Sequence, residues 1–420
     1  PTPVPTPPFA LSQRVQRVKL SANAAASARA AALAAQGRDI LVLTAGEPDF
    51  DTPEPIKQAA IAALAQGDTK YTATPGTLAL RQAISAKYQR ENALDYGPSQ
   101  IIVANGAKQV IYQALAATVD AGDEVIVPTP YWPSFPDIVR INDGTPVIVT
   151  CDESSNFKLS PQALEQAITP HTRWLILNSP GNPTGAVYTL EELLALAEVL
   201  RRHPRLLVLW DEIYEHIWFT TEPPVHLLHA APDLHERTLL VNGASKTYAM
   251  TGWRIGWGAG PEPLVKAMTV VQSQVSSAPN SIGQAATAWA LQSADQSFVA
   301  QSRLAYAGRG RFVTQALNAI PGLSLLGPQG AFFAYVNCSA LIGQQRPDGK
   351  LISSDADVVD WLLESEGVAV VDGASYGLSP YFRISIAASD AVLEDAVTRI
   401  ARAVSTLRRG HTSPLELATV

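Results

Sequence analysis

Lys246 stands in Val241-Asn242-Gly243-Ala244-Ser245-Lys246-Thr247-Tyr248-Ala249-Met250-Thr251-Gly252-Trp253-Arg254-Ile255-Gly256, between small residues just past an apolar run, with Arg254 eight positions on. Most lysines are solvated surface groups. This pattern instead suits an amine that forms a Schiff base with an aldehyde cofactor while the nearby cation holds a phosphate. Asp211 follows the apolar run Leu206–Trp210, and a carboxylate at the C-terminal end of a strand lies where open α/β sheets bind ligands. On pattern alone, an acid at a turn or helix start explains it equally well. Asn105-Gly106-Ala107-Lys108 lies between the apolar run Ile101–Val103 and a helical pattern, where N–H groups at a helix start make an anion site. Arg383 sits inside a strand-like run, where a charge is costly unless paired. Its partner is either a substrate carboxylate, through the guanidinium fork, or an acid in a structural salt bridge.

Elements to position these residues can be read from the same chain. Ile101–Val103, Glu124–Val127, Pro146–Val149, Trp174–Leu177, Leu206–Leu209 and Thr238–Val241 read as buried strands, alternating with helical stretches at Leu78–Arg90, Lys108–Thr118, Pro161–Ile168 and Leu190–Arg202. That alternation predicts an α/β domain with a largely parallel sheet. Ser160 before Pro161, and Thr189 before Leu190-Glu191-Glu192, read as helix N-caps. A long helix over Phe298–Ile320 leads into a second α/β unit, with strands at Leu323–Leu326, Ala331–Val336, Val368–Val371 and Phe382–Ile386 and helices at Asp355–Glu366 and Ala391–Leu407. The division expected is an N-terminal arm contributing to a small domain (1–46), a large domain (47–300) and a C-terminal small domain (301–420). The proline-rich first eight residues have neither a charged nor an apolar leader pattern; an extended lead-in is expected, not a signal peptide. The tail after Arg409 is expected to be mobile.

The 420 residues exceed what one core usually organises. With 47% hydrophobic and 16% charged residues, the chain can fill large cores. A net charge of -7 gives no electrostatic case for nucleic acid, and no stretch reads as membrane-spanning. Cys151 and Cys338 are the only cysteines, so no disulfide framework is implied and a cytoplasmic setting is expected. The seven histidines and two cysteines form no metal-ligand spacing, and no metal is expected. No Gly-x-Gly-x-x-Gly follows a strand; Gly252 to Gly258 reads as close packing near a cofactor.

The Lys246 window resembles the cofactor-lysine segment of class I and II aminotransferases, which use pyridoxal 5'-phosphate (PLP). Four further segments resemble that family in its order: Thr44-Ala45-Gly46-Glu47-Pro48-Asp49-Phe50, Asn178-Ser179-Pro180-Gly181-Asn182-Pro183-Thr184-Gly185, Trp210-Asp211-Glu212-Ile213-Tyr214-Glu215 and Tyr381-Phe382-Arg383-Ile384-Ser385. Chance explains one such match easily, but not five in order. The bacterial aspartate aminotransferase branch is most similar. The resemblance implies fold type I: a large domain with a mostly parallel seven-stranded sheet plus a smaller α/β domain, as a homodimer with sites at the subunit interface. It implies that Lys246 carries the Schiff base and moves protons, that Asp211 pairs with the pyridine nitrogen, and that Tyr214 and Asn182 donate to the cofactor's O3' oxygen. Gly106, Ala107, Lys108, Ser245 and Arg254 would serve the phosphate, and Trp132 would stack on the ring. Tyr71 would reach the neighbouring subunit's phosphate. Gly46, Trp132, Asn182 and Arg383 would meet the substrate, Arg383 taking its α-carboxylate. Many family members have serine where this chain has Gly243, which puts one phosphate hydroxyl in doubt.

Lys108 matches the lysine that reads a distal carboxylate in the aspartate branch. The implied reaction is therefore L-aspartate with 2-oxoglutarate, giving oxaloacetate and L-glutamate by a ping-pong route. Aromatic amino acid or prephenate transamination, a PLP-dependent C–S or other β-lyase, and a non-catalytic protein of the same fold are the alternatives. Loss of Lys246, Asp211 or Arg383 would have favoured the last; none is lost.

Overall fold

The computed structural model describes residues 9–409, so the proline-rich arm before Phe9 and the tail after Arg409 lie outside the described residues. At its centre is a sheet of seven strands: β1 Ile101–Ala104, β2 Glu124–Pro128, β3 Thr145–Val149, β4 Thr172–Asn178, β5 Leu207–Asp211, β6 Thr238–Gly243 and β7 Gly256–Ala259. Their order is β1-β7-β6-β5-β4-β2-β3. All pairings are parallel except those of β7, which runs antiparallel to both β6 and β1. β7 was not anticipated. Its sequence, Gly-Trp-Gly-Ala, has few of the branched side chains that mark strands, and the close-packing expectation for Gly252 to Gly258 covers the same residues. Gly256 leaves so little space that a Cβ there would sit 2.2 Å from the Ala107 nitrogen.

Apart from the edge strand β3, which is partly exposed, both faces of the sheet are buried, which is why its strands read as continuous apolar runs. Leu175, Leu177, Val208, Trp210 and Leu240 fill one core, while Trp174, Ile176, Leu209, Leu239 and Val241 fill another. The period-2 alternation within each strand assigns neighbours to opposite faces. Truncating a buried tryptophan such as Trp174 or Trp210 costs about 3–5 kcal/mol. Ser160 Oγ accepts from the Ala163 N–H, and Thr189 and Glu192 form a reciprocal capping box, as the helix-start pattern predicts.

Flanking helices include α1 Ala22–Ala35, α2 Leu78–Asn92, α3 Ala107–Ala116 and the single turn α4 Ala244–Thr247. A smaller antiparallel sheet, Val371–Asp372 beside Tyr381–Ser385 beside Phe333–Asn337, packs with helices α5 Ser297–Asn318, α6 Asp355–Glu366 and α7 Asp390–Ser405. Two sequence expectations need correction here. Leu323–Leu326 is not a strand: only Ser324 bridges, to Asn337. Val368–Val371 is two pieces: Val368–Ala369 pairs in parallel with Leu41–Val42, and Val371–Asp372 joins the antiparallel sheet. Among the described residues no helix is long and apolar enough to cross a membrane.

Candidate active site

The parallel strands end along one edge, and each ending delivers a side chain to the same place. β4 ends at Asn178 and leads to Asn182; β5 ends at Asp211 and leads to Tyr214; β6 leads into α4, which carries Ser245 and Lys246. The loop after β2 brings Trp132, and β1 leads through Gly106 into α3 with Ala107 and Lys108. Apart from Gly106, these residues, with Gly46 and Arg254, line a cavity of about 260 Å³.

Lys246 Nζ donates to the Gly46 carbonyl oxygen. Burial, reinforced by the positive charges of Arg254 and Arg383 and opposed by Glu47, lowers its pKa to about 8. Asp211 is 4% exposed and has no ion-pair partner among the described residues. Burial pushes its carboxyl up to about 7, against the Ile213 N–H that donates to Oδ1 at 3.1 Å. A buried carboxylate without a cation is costly, and a protonated ring nitrogen would answer it. Tyr214 is buried edge-on against Phe332 and Phe333, and burial raises its pKa.

The phosphate end is built from backbone. Gly106 has φ +87, and a Cβ there would lie 2.1 Å from Arg254 Nη2. No side chain caps the start of α3, so its first N–H groups point free beside the Arg254 guanidinium. Arg254 itself has φ +57, an uncommon conformation for a non-glycine residue. It is held there by the Thr251 carbonyl at 2.9 Å and the Asn105 carbonyl at 3.2 Å. Gly243 is extended, and a side chain on it would press within 3.0 Å of the Ile255 carbonyl and 3.2 Å of Ile213. A buried amine, an unpartnered buried acid and a backbone anion cradle in one cavity fit PLP.

Of the expected site residues, Gly106, Arg383 and Tyr71 are not in the cavity wall. Arg383 is fully buried one layer behind it, donating to Asn182 Oδ1 at 3.0 Å and to the Thr44 carbonyl at 2.6 Å, over the Phe333 ring. Its Nε has no partner, and among the described residues it meets no carboxylate. That removes the structural salt bridge as its explanation. Tyr71 is 95% exposed. Lys108 Nζ lies 4.7 Å over the Trp132 ring; burial first, then Arg254, lowers its pKa. Sequence reading missed Asn23, Ile111, Asn178 and Ile213 in the wall. Asn23, whose Oδ1 accepts from Tyr376 at 2.8 Å, is the lone amide in an alanine-rich helix, the one signal that could have found it.

Residues 38–400 match the family model for aminotransferase class I and II. The aspartate aminotransferase of Rhizobium meliloti is 49% identical over 399 residues, which is 95% of this chain and 97% of that one. The aspartate/prephenate aminotransferase of Cereibacter sphaeroides is 50% identical over 390 residues, 93% of this chain and 97% of that one. The Rhizobium meliloti crystal structure superposes with a TM-score of 0.92, covering 95% of this chain and all of that one. The Thermus thermophilus aspartate aminotransferase with maleate gives 0.88 at 42% identity, covering 94% and 100%.

Proposed function

The chain belongs to the aminotransferase class I and II family, and on that premise we propose that it moves the amino group of L-aspartate to 2-oxoglutarate, giving oxaloacetate and L-glutamate. The observation that carries this reading is Lys246, an amine lowered to about 8, sharing one cavity with the unpaired acid Asp211. The cofactor is PLP, which when bound supplies an electron sink for the substrate's α-carbon. Lys246 Nζ would hold it covalently and, once freed, would move the α-proton; a pKa near neutrality suits that task. Asp211 would pair with the ring nitrogen and favour its protonated form, and Tyr214 and Asn182 would donate to the ring's hydroxyl oxygen. Gly106, Ala107, Lys108, Ser245 and Arg254 would hold the phosphate, and Trp132 would stack on the ring.

Arg383 and Gly46 receive the substrate's α-carboxylate. The buried guanidinium exchanges neutral partners for a charged one, and charge-assisted pairs are roughly twice as strong. Lys108 reads the distal carboxylate, supported by its place in the cavity wall. One cavity serves donor and acceptor in turn, the ping-pong order. Prephenate as a further amino acceptor is the second reading, favoured by the relatives named aspartate/prephenate aminotransferases. A homodimer in which Tyr71 completes the partner's phosphate site is supported by the exposure of Tyr71 and of the apolar residues Ile61, Leu64 and Leu78. Two free, buried cysteines accord with a cytoplasmic enzyme.

The test is the absorbance of the purified protein with PLP before and after L-aspartate alone. Loss of the visible band with release of oxaloacetate is expected. A band that persists, or conversion with release of an eliminated β-substituent, would overturn the reading in favour of other donors or a lyase.

A further inference from the structure

Behind the catalytic wall lies a polar cluster that the chemistry above does not use. Asp211 and Tyr214 face the cavity, whereas Glu212, Glu215 and His216 of the same segment turn to other partners. Glu91, Glu215 and His216 place ligand-type atoms within 4.8 Å of one another. This is not a metal site: Lys87, 1% exposed, puts Nζ 2.5 Å from Glu215 Oε2 and 3.7 Å from Glu91 Oε2. The cluster therefore already contains its cation, and a metal ion would meet that charge.

We infer that His216 is a positioning residue for Lys246, acting through Thr247. His216 Nε2 lies 2.8 Å from Glu91 Oε2, and Nδ1 lies 3.0 Å from Thr247 Oγ1. A carboxylate only accepts, so Nε2 carries the hydrogen toward Glu91; in the neutral ring Nδ1 then accepts from the Thr247 hydroxyl. The imidazole thus joins the residue after Lys246 to a segment that carries Tyr214 two positions earlier.

The need for such a tie follows from α4. It is one turn of four residues with no side-chain cap at its start, and a single turn is not stable by itself. Thr247 is buried, and its side chain makes its one hydrogen bond, among the described residues, to His216. The groups around the imidazole are fixed in turn. Lys87 and Glu91 come from α2, and Arg90 pairs with Glu91 from the surface. Glu215 is held by Lys87, by Asn92 at 2.9 Å and by Asn242 on β6 at 2.7 Å. Moving His216 would therefore shift the backbone that aims Lys246 while leaving the carboxylate-binding residues in place.

This inference rests on the Lys246–PLP reading of the site. The experiment compares holoenzyme with His216→Phe, Thr247→Val and Thr247→Ser, measuring kcat, KM for L-aspartate and the pH midpoint of the visible cofactor band. His216→Phe and Thr247→Val are expected to lower kcat by about tenfold or more, to leave KM within about threefold, and to move the band's midpoint by roughly half a pH unit. Thr247→Ser should restore all three. Thr247→Val keeps the size of the side chain and so remains informative where His216→Phe does not fold. Thr247→Val with wild-type kcat and midpoint overturns the inference. A wild-type protein with no lysine-bound PLP band would instead overturn the reading on which it rests.

Discussion

Arg383 donates to the side-chain oxygen of Asn182 at 3.0 Å, which puts a fully buried cation directly behind an amide of the cavity wall. In the proposed function this pair would receive the substrate's α-carboxylate, which would reach the guanidinium past the Asn182 amide.

Arg383→Lys keeps the charge but loses the fork. It is expected to raise KM for L-aspartate and 2-oxoglutarate by at least about tenfold, the loss of one charge-assisted hydrogen bond. The absorbance of bound PLP should not change. Unaltered KM values from steady-state kinetics would reject the carboxylate role.

Lys108→Ala should hurt acidic substrates selectively. Removing one cation from a distal carboxylate is worth about 1.5–3 kcal/mol, so kcat/KM for L-aspartate is expected to fall on the order of tenfold to a hundredfold. L-Phenylalanine should suffer only the smaller loss due to the phosphate side of the site. Equal losses would show that Lys108 does not read the side chain.

Gly106→Ala tests the phosphate cradle. Its Cβ would meet the Arg254 guanidinium at 2.1 Å, at a backbone φ of +87. The conformational penalty is about 1–3 kcal/mol, and the displaced cation should weaken PLP binding by on the order of tenfold. Spectrophotometric cofactor titration and thermal unfolding measure the two effects separately.

The cofactor-free protein should show opposite pH signatures at its two central groups. Asp211 is raised from 3.8 to about 7 by burial, so between about pH 4 and 7 the unfolded chain gives up this proton first. The stability penalty grows across that window as pH rises. Asp211→Asn is therefore expected to match wild type near pH 4 and to unfold at a higher temperature above pH 7. Lys246 is lowered from 10.5 to about 8. Its penalty is full below about 8 and gone above about 10.5, so Lys246→Met should gain stability at neutral pH and lose that gain in alkali. Flat difference curves between each variant and wild type would contradict both burials. With PLP present, Lys246→Met should not transaminate.

Much of the framework is legible in the chain because a sheet buried on both faces must be written in apolar runs. The apolar runs Trp174–Leu177 and Leu206–Leu209 fall on β4 and β5 for that reason, and those strands end at Asn178 and Asp211. β7 escaped because its glycines serve contact with α3, not strand propensity. Leu323–Leu326 misled because alternating leucines pack into the small unit's core without a ladder partner. The cluster behind the wall is tertiary: Lys87 and Glu91 are an i,i+4 pair on α2, but nothing in the chain announces that His216 and Glu215 meet them. Arg383 reads correctly as a charge in a strand, but no local pattern says that Asn182 stands between it and the cavity.

The acceptor that Lys246 meets is the Gly46 carbonyl, and a main-chain oxygen is shared by all twenty residues. No substitution at position 46 can delete it, so a saturation screen of the site would pass over this contact in silence. Replacing the amide that joins residues 46 and 47 by an ester would weaken that oxygen as an acceptor. Backbone chemistry, not codon choice, is the way to ask what holds the lysine when it is not holding anything else.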